Sequence, residues 1–394
     1  MKKKILFVIT TYQPVGGHYY SLVTTARALS DIYDVHIFNL GTVLSPIIEK
    51  SGLSYDFVYY NKRNFVKVSK YISNYVSMQN ISVVHGFDYT SCFLLSYAVK
   101  KNRDICFAWT KCGGQLSKSR KIPDIKNIVV FSLQDLQFFE RRYPDKNYNL
   151  MCIPNRVSDF DSDKIRIEQL QKKYNLNDKR VILRIGRISE AYVNSIIQSI
   201  YLHKLIYKED TRFALLIIGT VKSDELLRKI ETISKNCKNV YIETSQEFTN
   251  NSKELIDIAE IVVGTGRGFM EACSKNKIMF VPSDAKKYPV LVTESNFQTA
   301  LFYNFSPRYN DDTKEYIEGK QLLTFVNEYK CTSRKWYDEY FRAGCIGSRY
   351  CEFYKNIKKH NISDVTIVKY MILEYIESLH SLKGLRIIAK RILK

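Results

Sequence analysis

Residues 261–281 read as a strand, a glycine-rich turn, a helix and a second strand, and few folds accommodate that succession. Ile261, Val262 and Val263 form an apolar run short enough for a buried strand, which Gly264, Gly266 and Gly268 then break. A helical pattern starts near Phe269 with Glu271 in its first turn, and Ile278–Val281 is a second apolar run. A glycine turn that feeds a helix leaves backbone N–H groups directed outward, where a phosphate can sit. The stretch Gly264, Thr265, Gly266, Arg267, Gly268 is therefore a candidate nucleotide or sugar-phosphate site, with Glu271 beside it as an acceptor for sugar hydroxyls. Tight strand–helix packing would also use such glycines, and an early Glu also complements the helix dipole. A nicotinamide fingerprint does not fit. G-x-G-x-x-G requires glycine at 269, where Phe269 stands, and it is expected early in a dinucleotide domain.

Elsewhere the chain repeats this alternation. Ile5–Ile9, Val35–Asn39, Ser82–His85, Ile105–Trp109 and Ile128–Phe131 are apolar runs, and Tyr20–Leu29 has a helical face. A second series follows at Val181–Ile185, Phe213–Ile218, Val240–Glu243, Ile261–Val263 and Ile278–Val281, with helices expected at Ser223–Ser234 and Ser252–Ala259. Alternation of this kind predicts parallel sheets covered by helices on both faces. At 394 residues, two such units are expected rather than one core. The pattern pauses around Ile153–Val157, which puts the first domain at 1–157 and the second at 158–315. Residues 316–394 read as a helical, aromatic and basic tail, part of it packing back on the first domain.

Composition narrows the classes. Nine scattered cysteines without a CxxC pair give neither a disulfide framework nor a zinc site, and point to a reducing compartment. The N-terminal Lys-rich start has too short an apolar run for a signal peptide. No stretch approaches the ~18 continuous apolar residues of a membrane span. The net charge of +20 implies an anionic partner, alongside a general lysine bias in usage. A recognisable nucleic-acid module is lacking, so nucleic acid is not the expected partner. Three basic stretches suit an anionic membrane surface, at 61–76, at 100–126, and at 381–394 with five basic and no acidic residues. The acidic run Asp159–Asp163 lacks the central glycine of a calcium loop and reads as a helix cap. No metal or cofactor is expected.

Taken in order, several motifs resemble the GT-B glycosyltransferases, and more narrowly the retaining enzymes of glycosyltransferase family 4 that build bacterial capsule and O-antigen sugars. They are Gly16-Gly17-His18, Val84-His85-Gly86, Ile153-Pro154-Asn155, Ile185-Gly186-Arg187, Ile217-Ile218-Gly219 and the Gly264–Glu271 turn. The resemblance implies an α/β fold of two Rossmann-like domains facing each other across a cleft. It also implies a nucleotide-diphosphate sugar donor, with UDP favoured, and transfer to a glycan acceptor with retention of configuration. We take that acceptor to be lipid-linked, on the strength of the basic stretches. By the same resemblance Gly16 and Gly17 would let the backbone approach the donor, and His85 would lie near the acceptor. Arg187 would offset charge on the departing diphosphate, and Glu271 would hold the ribose. The chain would then act in the cytoplasm or at the inner face of the cell membrane. Two departures stand out: Val263 replaces the first glutamate of the family's E-x7-E motif, and Val193 stands where a lysine is usual. Arg267 is a candidate to supply that lysine's charge. The alternative reading is a non-catalytic nucleotide- or glycan-binding component of an assembly complex.

Overall fold

The computed structural model describes residues 2–11, 16–102, 104–114, 125–144, 147–310, 319–360 and 362–378. These form two compact units, one drawn from Met1–Ile153 and Ala343–Lys394, the other from Pro154–Arg342.

In unit 1 the order is β1 (Lys4–Thr11), α1 (Gly17–Leu29), β2 (Asp34–Gly41), α2 (Pro46–Glu49), β3 (Tyr55–Tyr59), α3 (Phe65–Met78), β4 (Val83–Gly86), α4 (Tyr89–Lys101), β5 (Cys106–Lys111), β6 (Asn127–Val130), α5 (Leu133–Arg142) and β7 (Asn149–Cys152). All pairs are parallel, in the order β3-β2-β1-β4-β5-β6-β7. β1 shows why its run is unbroken. Ile5, Phe7 and Ile9 enter the core on one face, Leu6 and Val8 the core on the other, so a doubly covered strand has no polar side.

Unit 2 continues with α6 (Lys164–Tyr174), β8 (Arg180–Ile185), α7 (Val193–Tyr207), β9 (Phe213–Ile218), α8 (Asp224–Ser234), β10 (Val240–Glu243), α9 (Gln246–Thr249), β11 (Ile261–Val263), α10 (Arg267–Ser274), β12 (Ile278–Val281), β13 (Val290–Leu291), α11 (Phe297–Phe302), α12 (Gly319–Glu328) and α13 (Ser333–Trp336). Its sheet runs β10-β9-β8-β11-β12-β13, parallel except for the antiparallel edge strand β13. Two further helices, α14 (Ile346–Lys355) and α15 (Asp364–Ser378), belong to unit 1. The fold class is therefore α/β with two Rossmann-like parallel sheets and a helical C-terminal region.

The expected boundaries shift. Val157 is buried in unit 2's core, and its N–H donates to Phe341 O at 2.9 Å, so the junction falls before Pro154. The tail is not one body. Leu322 and Val326 of α12 pack in the α7 core, and Trp336, Tyr337 and Phe341 complete the core beneath α10. Only from Ala343 does the chain rejoin unit 1, where Ile346, Tyr350 and Phe353 seal one sheet face and Ile367, Tyr370 and Leu373 the other. Each sheet needs both faces covered, and the aromatic C-terminal region is divided to do it. Segment Ser252–Ile258 is a 3-10 helix rather than an α-helix. The basic run 381–394, and residues 103 and 115–124 of the basic stretch 100–126, lie outside the described residues. Among those described, no helix is long and apolar enough to cross a membrane.

Candidate functional site

In open parallel sheets ligands bind beyond the carboxyl ends of the strands, where the strand order reverses. In unit 2 that switch lies between β8 and β11, and the sequence-predicted residues Arg187 and Gly264–Glu271 follow directly from those two strands. The glycines between them have distinct reasons. An added Cβ at Gly219 would meet Gly186 O at 1.9 Å, so the ends of β8 and β9 approach too closely for any side chain. At Gly264 it would meet Phe269 Cα at 2.8 Å, because α10 packs directly against the turn. Gly266 caps α10 at φ 49° and ψ −121°, a conformation that only glycine adopts without strain. Gly268, by contrast, would meet nothing within 4 Å.

Helix α10 begins at Arg267, two residues earlier than the pattern suggested, so Glu271 sits in its second turn rather than its first. The reason is Gly266, whose backbone starts the helix without a side-chain cap. Glu271 Oε1 accepts from Arg267 Nε at 2.8 Å, one turn away, and Arg267 Nη1 donates to Arg156 O at 2.8 Å. Arg267 is thus committed to Glu271 and to the backbone, and its fit as a substitute for the absent lysine is correspondingly weakened. Glu271 Oε2 has no partner among the described residues. Arg187 is exposed, with its guanidinium 5.4 Å from the Tyr192 ring centre and Nη2 3.5 Å from Tyr192 Oη.

Sequence reasoning passed over Arg184. It is 1% exposed in the middle of the sheet and has no carboxylate beside it among the described residues. Nη1 donates to Ile185 O at 2.9 Å and Val263 O at 3.2 Å, Nη2 donates to Ser195 Oγ at 2.6 Å, and Nε is buried without a partner. Burial lowers its pKa to about 10, which leaves it charged at neutral pH. The signal was present: a lone arginine in the run Val181-Ile182-Leu183-Arg184-Ile185, where both faces are covered.

Unit 1 has its own switch between β1 and β4. Gly16 and Gly17 start α1 just beyond β1, and an added Cβ at Gly17 would meet nothing within 4 Å. At Gly16 it would meet the His18 ring at 2.8 Å. Asp88 ties the two strands together by capping α4 through Ser91 N–H and accepting from Thr10 N–H at 2.6 Å. The Lys111–Asp135 pair is buried at 2.9 Å, with Lys111 also donating to Gly114 O. His85 departs from expectation. It is 0% exposed, with Nδ1 2.8 Å from Tyr354 Oη and Nε2 2.8 Å from Thr110 Oγ1, and Thr110 Oγ1 in turn lies 3.2 Å from Tyr350 Oη. Desolvation lowers its pKa to about 3, so it is neutral, and both ring nitrogens are used inside the core. A buried polar chain joining β4 and β5 to α14 is its role here, in place of a histidine facing an acceptor. In the acidic run, Asp163 caps α6 through Arg166 N–H at 3.1 Å. No cluster of three His, Cys, Asp or Glu able to hold a metal occurs among the described residues.

No family model matches the chain, and no curated protein does. Solved structures do. A glycosyltransferase from Rickettsia africae superposes with a TM-score of 0.58 at 16% identity, covering 96% of this chain and 99% of that one. The Anabaena protein HepE in complex with UDP and glucose gives 0.64 at 12% identity, covering 90% and 100%. A UDP-GlcNAc 2-epimerase from Neisseria meningitidis bound to UDP-GlcNAc gives 0.50 at 12% identity, covering 89% and 99%. The likeness is one of fold, the GT-B fold.

Proposed function

We propose that this chain is a glycosyltransferase that moves a sugar from a nucleoside diphosphate donor, UDP for preference, to a lipid-linked bacterial surface glycan such as capsule or O-antigen. The observation that supports this is that Arg187 and the glycine turn with Glu271 follow β8 and β11, the two strands at unit 2's switch point. In this reading Arg187 and the turn's amide dipoles stabilise the diphosphate as the anomeric C–O bond breaks. Oε2 of Glu271, without a partner among the described residues, accepts from the ribose hydroxyls. Gly17 and Gly268, which nothing among the described residues obliges to be glycine, let the backbone approach the donor closely. Retention of configuration is the outcome the resemblance suggests. That several similar structures hold UDP or a UDP-sugar supports the donor class.

A thermal-shift screen of sugar nucleotides, run in EDTA, tests the donor half. A ligand bound only by the folded chain raises Tm. We expect a UDP-sugar to do so without added metal, and the Glu271→Ala variant to lose most of the shift. Silence across the panel would sink the reading. A non-catalytic binder is the second reading, motivated by Val263 and Val193 in place of charged residues. Donor binding without any transfer or hydrolysis would favour it.

The membrane half rests on two helices of unit 1. α3 contains no acidic residue and exposes Val66, Tyr71 and Met78 beside Lys67 and Lys70. α15 packs on α3 and α4 and exposes Val365, Val368, Ile372 and Tyr375 along one side. The mixed basic and apolar face of α3 suits an anionic bilayer, with the apolar side of α15 beside it. Flotation with anionic but not neutral liposomes is expected, and Lys67→Glu with Lys70→Glu should weaken it. Failure to float with either would end this part.

A further inference from the structure

Most buried arginines are paired, because an isolated charge loses its hydration without compensation. Among the described residues, Arg184 is paired with no acid. What it holds instead is backbone: the last carbonyls of β8 and β11, the strands that flank unit 2's switch point. It also begins a chain of contacts. Its Nη2 donates to Ser195 Oγ, which donates to Tyr192 O at 2.6 Å. The Tyr192 ring in turn lies 5.4 Å from the Arg187 guanidinium.

We propose that Arg184 is a positioning residue of the donor site, setting Arg187 through Ser195 and Tyr192 and adding a buried positive charge beneath the diphosphate. This rests on the donor reading above. The observations fit together physically. A cation with no counter-ion among the described residues leaves its field available to an anion bound beyond the strand ends, and little water screens it there. The same guanidinium fixes the spacing of the two turns that such an anion would touch. Lysine carries the charge without the planar fork, so it should restore part of the effect and not all of it.

The test compares UDP with uridine, measured by calorimetry on the full chain and on Arg184→Met, Arg184→Lys and Ser195→Ala variants. A purely structural role would weaken both ligands together. We expect Arg184→Met to lower the UDP-over-uridine preference about tenfold, the scale of one partly screened charge several ångströms away. Uridine itself should change less than about threefold, and Arg184→Lys should recover part of the preference. Ser195→Ala keeps the charge and cuts the relay, and we expect about a threefold loss confined to UDP. A folded Arg184→Met with the wild-type preference overturns the proposal. If that variant does not fold, an unchanged preference in both Ser195→Ala and Arg184→Lys overturns it. Wild type that binds no nucleoside diphosphate refutes the donor reading itself, whereas wild-type binding with an unmoved preference refutes only the role of Arg184.

Discussion

The two sheets reverse their strand order in the same way, yet they furnish the reversal differently. At the strand ends of unit 1 Lys111 of β5 is matched by Asp135, His85 is uncharged, and the Asp88 carboxylate is held by the N–H groups of Thr10 and Ser91. Beside β8 and β11 stand Arg184, with no acid paired to it among the described residues, and the exposed Arg187. Among the described residues, one topology thus carries an ion pair, a neutral histidine and an amide-bound carboxylate in unit 1, and two arginines in unit 2. Topology decides where a ligand can bind, and the side chains at the strand ends decide what kind.

The largest expected effects break that comparison directly. Arg187→Ala should reduce transfer by about 10²–10³-fold in kcat/KM, in line with loss of one charged group at a developing anion, and leave Tm nearly unchanged, because the residue is exposed. His85→Ala should do the reverse. Deleting the ring removes one hydrogen-bond partner from each of Tyr354 and Thr110 and opens a cavity, for a loss on the order of 2–4 kcal/mol of stability. The protein that remains folded should keep its kcat. Denaturant melts alongside turnover check both. A His85 variant that folds normally but is inactive would restore a chemical role for that histidine.

Acid should separate the units further. His85 is held to about 3, and His360 and His203 to about 4, by burial that disfavours the charged ring. Each folded pKa lies below the unfolded value, so the unfolded chain binds the extra protons. Stability is therefore full above about pH 6.5 and falls as pH drops through that value toward the folded pKa. One silent histidine costs about 2 kcal/mol at pH 5 by this relation. Unit 1 holds two of the three, so hydrogen exchange at pH 7 and pH 5 should show it loosening first. Glu243 in unit 2 acts lower down. Burial would raise its pKa, but bonds from Lys173, Ser245 and Tyr174 outweigh that and hold it at about 2, so its contribution fades only below about pH 4.5. Equal loosening of both units at pH 5 would contradict the assignment.

What the sequence could reveal follows from the same physics. Central strands such as β1 and β9 are covered on both faces and are built mainly of apolar residues, so they are visible as runs, and β8 is too, apart from Arg184. Edge strands β3 and β13 escape notice, because Tyr55–Tyr59 is half exposed and Val290–Leu291 is only two residues long. Glycine spacing marked the turn after β11, but not the start of α10, which depends on the backbone of Gly266. The motif position of His85 was readable. Its burial was not, since the tyrosines that enclose it lie 265 or more residues later, on α14. Arg184 was readable and was passed over as part of a strand.

The smallest effects lie among the glycines, and they sharpen the contrast between packing and approach. Gly264 and Gly268 occupy the same turn, but only Gly264 is crowded by the chain, with Phe269 Cα at 2.8 Å from an added Cβ. Gly264→Ala must push α10 off the turn and should lower Tm as well as binding. Gly268→Ala adds a methyl inside a helix, where alanine is favoured over glycine by roughly 0.5–1 kcal/mol, so Tm should hold or rise slightly. If the turn's backbone touches the donor, that same methyl should still weaken UDP binding by about three- to tenfold. Opposite movements of stability and affinity in one variant are what a purely structural glycine cannot produce. Gly268→Ala that binds UDP like wild type would show the donor elsewhere, and would remove the glycine turn from the site while leaving Arg187 in it.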